Sequence, residues 1–287
     1  MSTTEDTAAP SLQLTRASFA KFATFITREL GIKMSENKVP MLQSRLMRRL
    51  RELHLHSLGE YQDYLFNSPN AEAERTHFIN AVTTNKTDFF REPQHFDYLT
   101  RTALPELARR HGGPNWRFKL WCAGCSSGEE PYTQSIVLAE HARLNPGFDF
   151  AILATDISTR VLDHAKQAIY DESRIDPVRS DLRPRYFLRS KNAARGVVRV
   201  IPELRRKVSF HQLNFMDEDY RVKDQFEVIF FRNVMIYFDK ATQEAVIEKL
   251  CRNLVPGGYL FVGHSESLAG LRVPVQPVGT AIFRKPA

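Results

Sequence analysis

Between residues 116 and 262, short apolar runs alternate with stretches of helical period, and few architectures accept that rhythm. Trp116–Ala123, Phe148–Ala154, Val208–Leu213, Phe226–Phe231 and Tyr259–Val262 read as strands. Pro131–Ala142, Thr159–Ile169 and Ala241–Leu254 read as helices between them, and Pro256-Gly257-Gly258 as a turn. Strands this apolar need cover on both faces, and interposed helices supply it. The expectation is a parallel, doubly wound α/β sheet.

The first part of the chain follows a different rule. Residues 15–85 carry helical periods and almost no strand signal. Phe19, Phe22, Phe25, Ile26 and Leu30 share one helical face, with Gly31 placed to end that helix. Leu42, Leu46, Leu50 and Leu53 stripe a second helix after Pro40. Ser57 with Glu60 is a capping-box pattern opening a third, and Ala71–Val82 is a fourth. The expected organisation is a disordered tail over 1–14, an all-α domain over 15–85 and an α/β domain over 86–287.

Charge locates a further feature. The net charge is +7, and residues 183–207 hold nine Lys/Arg against one Glu, or +8, leaving about −1 elsewhere. A uniformly basic chain would point to nucleic acid, whereas one basic segment points to a local docking surface. Tyr186–Leu188 and Val197–Val200 make this segment a small antiparallel insert. No run approaches the roughly 18 apolar residues of a membrane span. Three cysteines cannot all pair, which favours a reducing, cytoplasmic setting.

The segment from Leu120 to Tyr132 carries the most chemistry. A strand ends, a turn of small residues follows, and a helix opens with Glu129 and Glu130. Helix N-termini favour anions, so two carboxylates there disfavour a pyrophosphate. They suit S-adenosylmethionine, which brings a sulfonium, an ammonium and a ribose. Asp156 ends the second strand, where an acid commonly meets ribose hydroxyls; capping the next helix is its bland alternative. Asn214 ends the third strand, fit for an adenine edge or a turn. Arg232, Asn233 and Tyr237 leave the fourth strand at its carboxyl end, where open α/β sheets bind ligands. The polar stretch from Thr83 to Pro93 is a capped linker or a lid over such a ligand.

Five segments occur in order: Thr84–Glu92 (TNKTDFFRE), Cys125–Tyr132 (CSSGEEPY), Ala154–Ser158 (ATDIS), Phe230–Asp239 (FFRNVMIYFD) and Gly257–Leu268 (GGYLFVGHSESL). Together they resemble the chemotaxis receptor glutamate O-methyltransferases, the CheR family, from about Thr15 to Phe283. The resemblance implies a Rossmann-like class I methyltransferase domain with a small antiparallel β-insert, preceded by an all-α domain that recognises receptors. It implies transfer of a methyl group from S-adenosylmethionine to receptor glutamates, with S-adenosylhomocysteine as product. Asn85, Thr87 and Arg91 would border the cofactor and the reacting centre, with Ala123, Glu129 and Glu130 at the glycine-rich turn. Asp156 would hold the ribose, Asn214 and Phe215 would flank the adenine, and Arg232 and Asn233 would line the methionine end. Arg91 and Tyr237 would orient the carboxylate. Ser126 departs from the Gly that many methyltransferases of this fold carry.

Lys38, Arg45, Arg48 and Arg49 fall within an arc of about 100° beside the leucine stripe. A basic face there would complement the glutamate-rich helical bundle of a chemoreceptor, and a solvated face is its bland alternative. The insert resembles the family's β-subdomain, which in some members pairs with a receptor C-terminal peptide by strand addition. Two other functions compete. A nucleic-acid methyltransferase would need an Asn/Asp-Pro-Pro-aromatic motif, and Asn233-Val-Met-Ile does not supply it. A non-catalytic docking module would not need Arg91 and Tyr237. No nucleic-acid partner, membrane insertion or metal is expected. Cys122-Ala-Gly-Cys125 lies inside the glycine-rich turn without a second ligand pair, and Gly263-His264-Ser265-Glu266 reads as structural.

Overall fold

A computed structural model describes residues 13–113 and 115–287 of the chain. They divide into two units, one ending at Thr84 and the other beginning at Asn85.

The first unit is helical: Arg16–Leu30 (α1), Val39–Leu53 (α2), Leu58–Asn67 (α3) and Ala71–Val82 (α4). The local chemistry follows the sequence closely. Thr15 caps α1 by accepting from Ser18 N–H, and Gly31 ends it in the left-handed region. Ser57 accepts from Glu60 N–H, while the Glu60 carboxylate accepts from His56 N–H at 2.9 Å. Phe22, Tyr61 and Phe78 are buried, and Phe22 stacks on Phe78. Of the expected tail, residues 1–12 lie outside the described residues. Leu14 is buried, and its N–H donates to Gln43 Oε1 at 3.0 Å.

The second unit opens with Gln94–Tyr98 (α5), a π-helical turn and Leu104–Arg110 (α6). Then come Arg117–Ala123 (β1), Glu129–Leu144 (α7), Asp149–Asp156 (β2) and Thr159–Gln167 (α8). Ile169–Asp171 (β3), Arg183–Tyr186 (α9), Phe187–Arg189 (β4), Val197–Val200 (β5) and Pro202–Arg205 (α10) form the insert region. Val208–Gln212 (β6), Phe226–Phe231 (β7), Lys240–Arg252 (α11), Leu254–Val262 (β8), Gln276–Gly279 (β9) and Ile282–Arg284 (β10) complete it.

The main sheet has the order β6-β2-β1-β7-β8-β10-β9. Pairings from β6 through β8 are parallel, and β10 is antiparallel to β8 and β9. Every residue of β7 is buried, as a central strand covered on both faces requires. Strand order reverses beside β1, where Cys122 pairs with Phe230 of β7. The carboxyl ends of these two strands form the crevice in which doubly wound sheets place ligands.

Three expectations change. The expected turn at Pro256-Gly257-Gly258 lies inside β8; the irregular β7–β8 register near Phe226 and Val228 absorbs it, with Gly257 at φ +70°. The helix expected to reach Ile169 stops at Gln167, because Ala168 adopts the left-handed conformation. Ile169 then opens a strand, so the insert is larger than the basic segment. It is a three-stranded antiparallel sheet, β3-β5-β4, with β5 central.

Candidate functional site

The site is built where β1 and β7 end. After β1, Gly124 turns with φ +86°, and a Cβ there would come within 2.5 Å of Val234 Cγ2, so the loops after β1 and β7 touch. The N–H groups of Gly124 and Cys125 donate to Thr155 O of β2, both at 2.8 Å. Ser126 sits at φ +50°, in the left-handed region that favours glycine. Its N–H donates to Asp156 Oδ2 at 2.8 Å and its hydroxyl to Asn85 O at 2.9 Å. Gly128, also left-handed, starts α7 at Glu129.

The segment from Asn85 to Pro93 lies along this turn and is anchored at nearly every step. Arg174 donates to Thr87 O at 2.6 Å and to Asp88 Oδ1 at 2.9 Å. Phe89 is buried edge-on to Tyr170 and Phe187 of the insert. Phe90 N–H donates to Thr133 Oγ1 of α7 at 3.1 Å. Arg232 donates to Arg91 O at 2.6 Å. Phe90 and Glu92 have φ of 53° and 56°, so Arg91 stands between two residues in a sparsely populated conformation. Asn233 shares it at φ 60°. Four non-glycine left-handed residues, Phe90, Glu92, Ser126 and Asn233, thus meet in these loops. Strain of this kind persists where the surrounding contacts over-determine it, and it gathers at functional sites.

Carboxylates dominate the lining. Glu129 and Asp156 are buried, and the Glu130 and Glu92 side chains are 12% and 13% exposed. Asp156 accepts from Ser126 N–H and from Ser158 N–H, combining the turn-holding role with a buried acid at the end of β2. Burial pushes its carboxyl up, against the backbone N–H groups that favour the anion. Glu130 is likewise pushed up by burial, opposed chiefly by Arg232. Glu129 is held by Arg174 and by the Ser127 hydroxyl, both at 2.6 Å. At the end of β6, Asn214 Oδ1 accepts from Met216 N–H at 3.0 Å, and Phe215 packs edge-on to Phe231.

After β7, the Arg232 side chain is fully buried, with Glu92 at 3.5 Å and Glu130 at 3.8 Å. The side chain thus turns inward, against the two carboxylates at the end of the strand. It holds Arg91 O and lies over the Phe96 and Phe230 rings. Its Nε and Nη1 have no hydrogen-bond partner among the described residues. Asn233 N–H donates to Glu266 Oε2 at 2.8 Å. Tyr237 closes a 3₁₀ turn over Met235–Tyr237 and is half-exposed, next to the exposed Ile236.

Two residues of the site escape a reading of the sequence, Arg174 and the positioning role of Glu266. Arg174 has no motif around it and reaches the site only because β3 extends the insert. Glu266 is structural, as its segment suggests, but the structure it supports is the loop that carries Asn233 and Tyr237.

Glu92, His95 and His264 bring possible ligand atoms within 4.8 Å of one another. The Arg232 guanidinium, 3.5 Å from Glu92, already supplies positive charge there. Burial, with Arg232, lowers His95 to about 4, so its ring is neutral.

In the helical unit, the expected basic arc is not a free charged face. Arg49, 14% exposed, makes a two-pronged pair with buried Glu74 at 2.6 and 2.7 Å and also meets Glu52. Arg45 binds Val82 O and Thr84 Oγ1. Lys38 precedes α2, and its ammonium donates to Lys33 O. The sequence spacing placed these cations on one side of the helix but could not show which had partners. Arg48 remains largely exposed, paired with Glu52 at the surface.

An N-terminus lined by acids, a buried acid after β2 and glycine turns beneath them fit a cationic nucleoside better than a phosphate. The comparisons agree. Residues 85–283 match the model described as CheR methyltransferase, SAM binding domain, and residues 17–83 match the CheR methyltransferase, all-alpha domain. Chemotaxis protein methyltransferase 2 of Pseudomonas aeruginosa is 40% identical over 94% of this chain and 93% of its own. The chemotaxis protein methyltransferase of Salmonella typhimurium is 41% identical over 91% and 87%. That of Borreliella burgdorferi is 36% identical over 91% of each. The chain belongs to the CheR family and is an S-adenosylmethionine-dependent methyltransferase.

Proposed function

We propose that this enzyme methylates glutamate side chains of chemoreceptors, forming glutamyl methyl esters, and that the crevice between β1 and β7 is where it does so. One observation supports the reading most: Arg91 is held between two left-handed residues, its own carbonyl pinned by buried Arg232. A side chain placed at such conformational cost has a position to keep.

S-adenosylmethionine, when bound, supplies an electrophilic methyl group. A glutamate is ionised at neutral pH and needs no general base. The chain's task is to align and to exclude water, with reacting atoms roughly 3–3.5 Å apart. Arg91 and Tyr237 orient the carboxylate. Arg91 acts by position, because strong pairing with the anion would stabilise a charge that transfer removes. Asp156 accepts from the ribose, Asn214 and Phe215 flank the adenine, and Asn85, Thr87, Ala123, Glu129, Glu130 and Asn233 border the rest of the cofactor. Arg232 acts through Arg91 and Glu130.

The helical unit, which ends at Thr84, is the receptor-facing part, and Arg48, largely exposed with only a surface pair to Glu52, is the residue of the α2 arc placed to meet the receptor. A receptor C-terminal peptide would add to the edge strand β4, where Leu188 is 51% exposed. The test is turnover and cofactor affinity of Arg91→Ala and Tyr237→Phe. Lost turnover with retained binding supports the reading, and near-normal turnover of both rejects it.

A further inference from the structure

The β-insert does more than present an edge. Its first strand and the 3₁₀ turn after it, Glu172–Ile175, grip the glycine-rich turn at two points. Tyr170 of β3 donates its hydroxyl to Ser127 O at 2.8 Å. Four residues later, Arg174 spreads its guanidinium over Glu129 Oε1, Thr87 O and Asp88 Oδ1, at 2.6, 2.6 and 2.9 Å. The Glu129 side chain is 3% exposed, while that of Arg174 is 39% exposed. Arg174 is the cation paired with that buried carboxylate, and the other carboxylate oxygen accepts from the Ser127 hydroxyl.

The consequence is geometric. Thr87 and Glu129 come from segments far apart in sequence, and one fork-shaped donor fixes both. A guanidinium can bridge an acid and a carbonyl in a set orientation, which a point charge cannot. A groove of about 620 Å³ runs past this clamp, lined by Ser127, Glu129, His164, Tyr170 and Arg174 among others.

We propose that Arg174 is a positioning residue for methyl transfer, locking Glu129 and Thr87 around the cofactor and making the insert part of what sets cofactor affinity. This rests on the proposed placement of the cofactor at the glycine-rich turn. Arg174 would act through Glu129 and Thr87, the groups its guanidinium holds.

The experiment uses the full chain with Arg174→Ala, Arg174→Lys and Glu129→Gln. It measures S-adenosylmethionine Kd by calorimetry together with KM, kcat and Tm. Arg174→Ala is expected to raise Kd and KM by about tenfold or more, the usual scale for losing charged hydrogen bonds, with a much smaller change in kcat. Lysine should restore part of the affinity, because one ammonium reaches Glu129 without spanning Asp88 and Thr87. If Arg174→Ala does not fold, the lysine variant decides. Should both Arg174 variants bind the cofactor within about twofold of wild type while Glu129→Gln binds weakly, the inference falls and the cofactor placement stands. A lowered Tm with unchanged Kd would overturn the inference in the same way, since Arg174 would then be structural only. Should Glu129→Gln also leave Kd unchanged, the placement at this turn falls, and the inference with it.

Discussion

The Glu266 carboxylate accepts from the backbone N–H of Asn233, 33 residues earlier in the chain, at 2.8 Å. The same oxygen accepts from Gly263 N–H at 2.6 Å, and the other faces Ile236 N–H at 3.4 Å. A buried acid beyond β8 thus holds the loop beyond β7 in its left-handed turn.

Glu266→Ala removes the acceptor and leaves buried N–H groups unpaired, a cost of about 1–3 kcal/mol. It should lower Tm and also reduce kcat, since Tyr237 sits on the released loop. Glu266→Gln keeps an acceptor oxygen and should lose less of both. Thermal unfolding and steady-state kinetics check this; unchanged kcat in a folded Glu266→Ala protein would separate the loop from catalysis.

The basic residues of α2 divide by burial. Arg49→Glu should unfold the helical unit, because breaking a buried pair strands the Glu74 carboxylate at a cost of about 3–5 kcal/mol. Tyr61, whose hydroxyl donates to Glu74 at 2.8 Å, would lose its partner's geometry as well. Arg48→Glu, at an exposed position, should leave circular dichroism and cofactor Kd unchanged and raise the receptor KM severalfold. An unaltered receptor KM would remove α2 from the docking surface.

Acid stability has a traceable contributor at the foot of β2. The Lys207 ammonium beside Asp149 holds that carboxyl below its usual value. A folded-state pKa below the unfolded one adds stability above the unfolded value, near 3.9, and that stability is lost as pH falls through the folded value. The pair is half-exposed, so the contribution is under about 1 kcal/mol. Asp149→Asn should therefore lower Tm slightly at pH 7 and not at pH 2. An equal loss at both values would assign the effect to packing.

The cysteines should be inert in the native protein. All three are free and buried, and burial pushes the Cys122 and Cys125 thiols well up and Cys251 to about 12. A thiol reagent at pH 8 should label none of them before denaturation and all three after it. Rapid native labelling of Cys122 or Cys125 would reopen a redox role for that pair.

Much of the fold and the site was legible in the residues. The apolar strands, the capped helices and the turn carrying Glu129 and Glu130 are local patterns, and local patterns survive folding. What escaped was set by long-range pairing. Ala168 ends α8 two residues early and so frees Ile169–Asp171 to pair with β5, which carries Arg174 to Glu129. The spacing of Arg49 on α2 likewise could not disclose Glu74, two helices away in the chain. Arg232 had the right place at the end of β7, and only packing shows that its side chain turns inward.

The most direct test of the central claim is methyl transfer from radiolabelled S-adenosylmethionine to receptor-containing membranes, followed by mild base. Labelled receptor that releases volatile methanol is the predicted result, because carboxyl methyl esters hydrolyse in base. Label that stays on the protein through base treatment, or no receptor labelling while the cofactor still binds, would contradict glutamate esterification as the reaction.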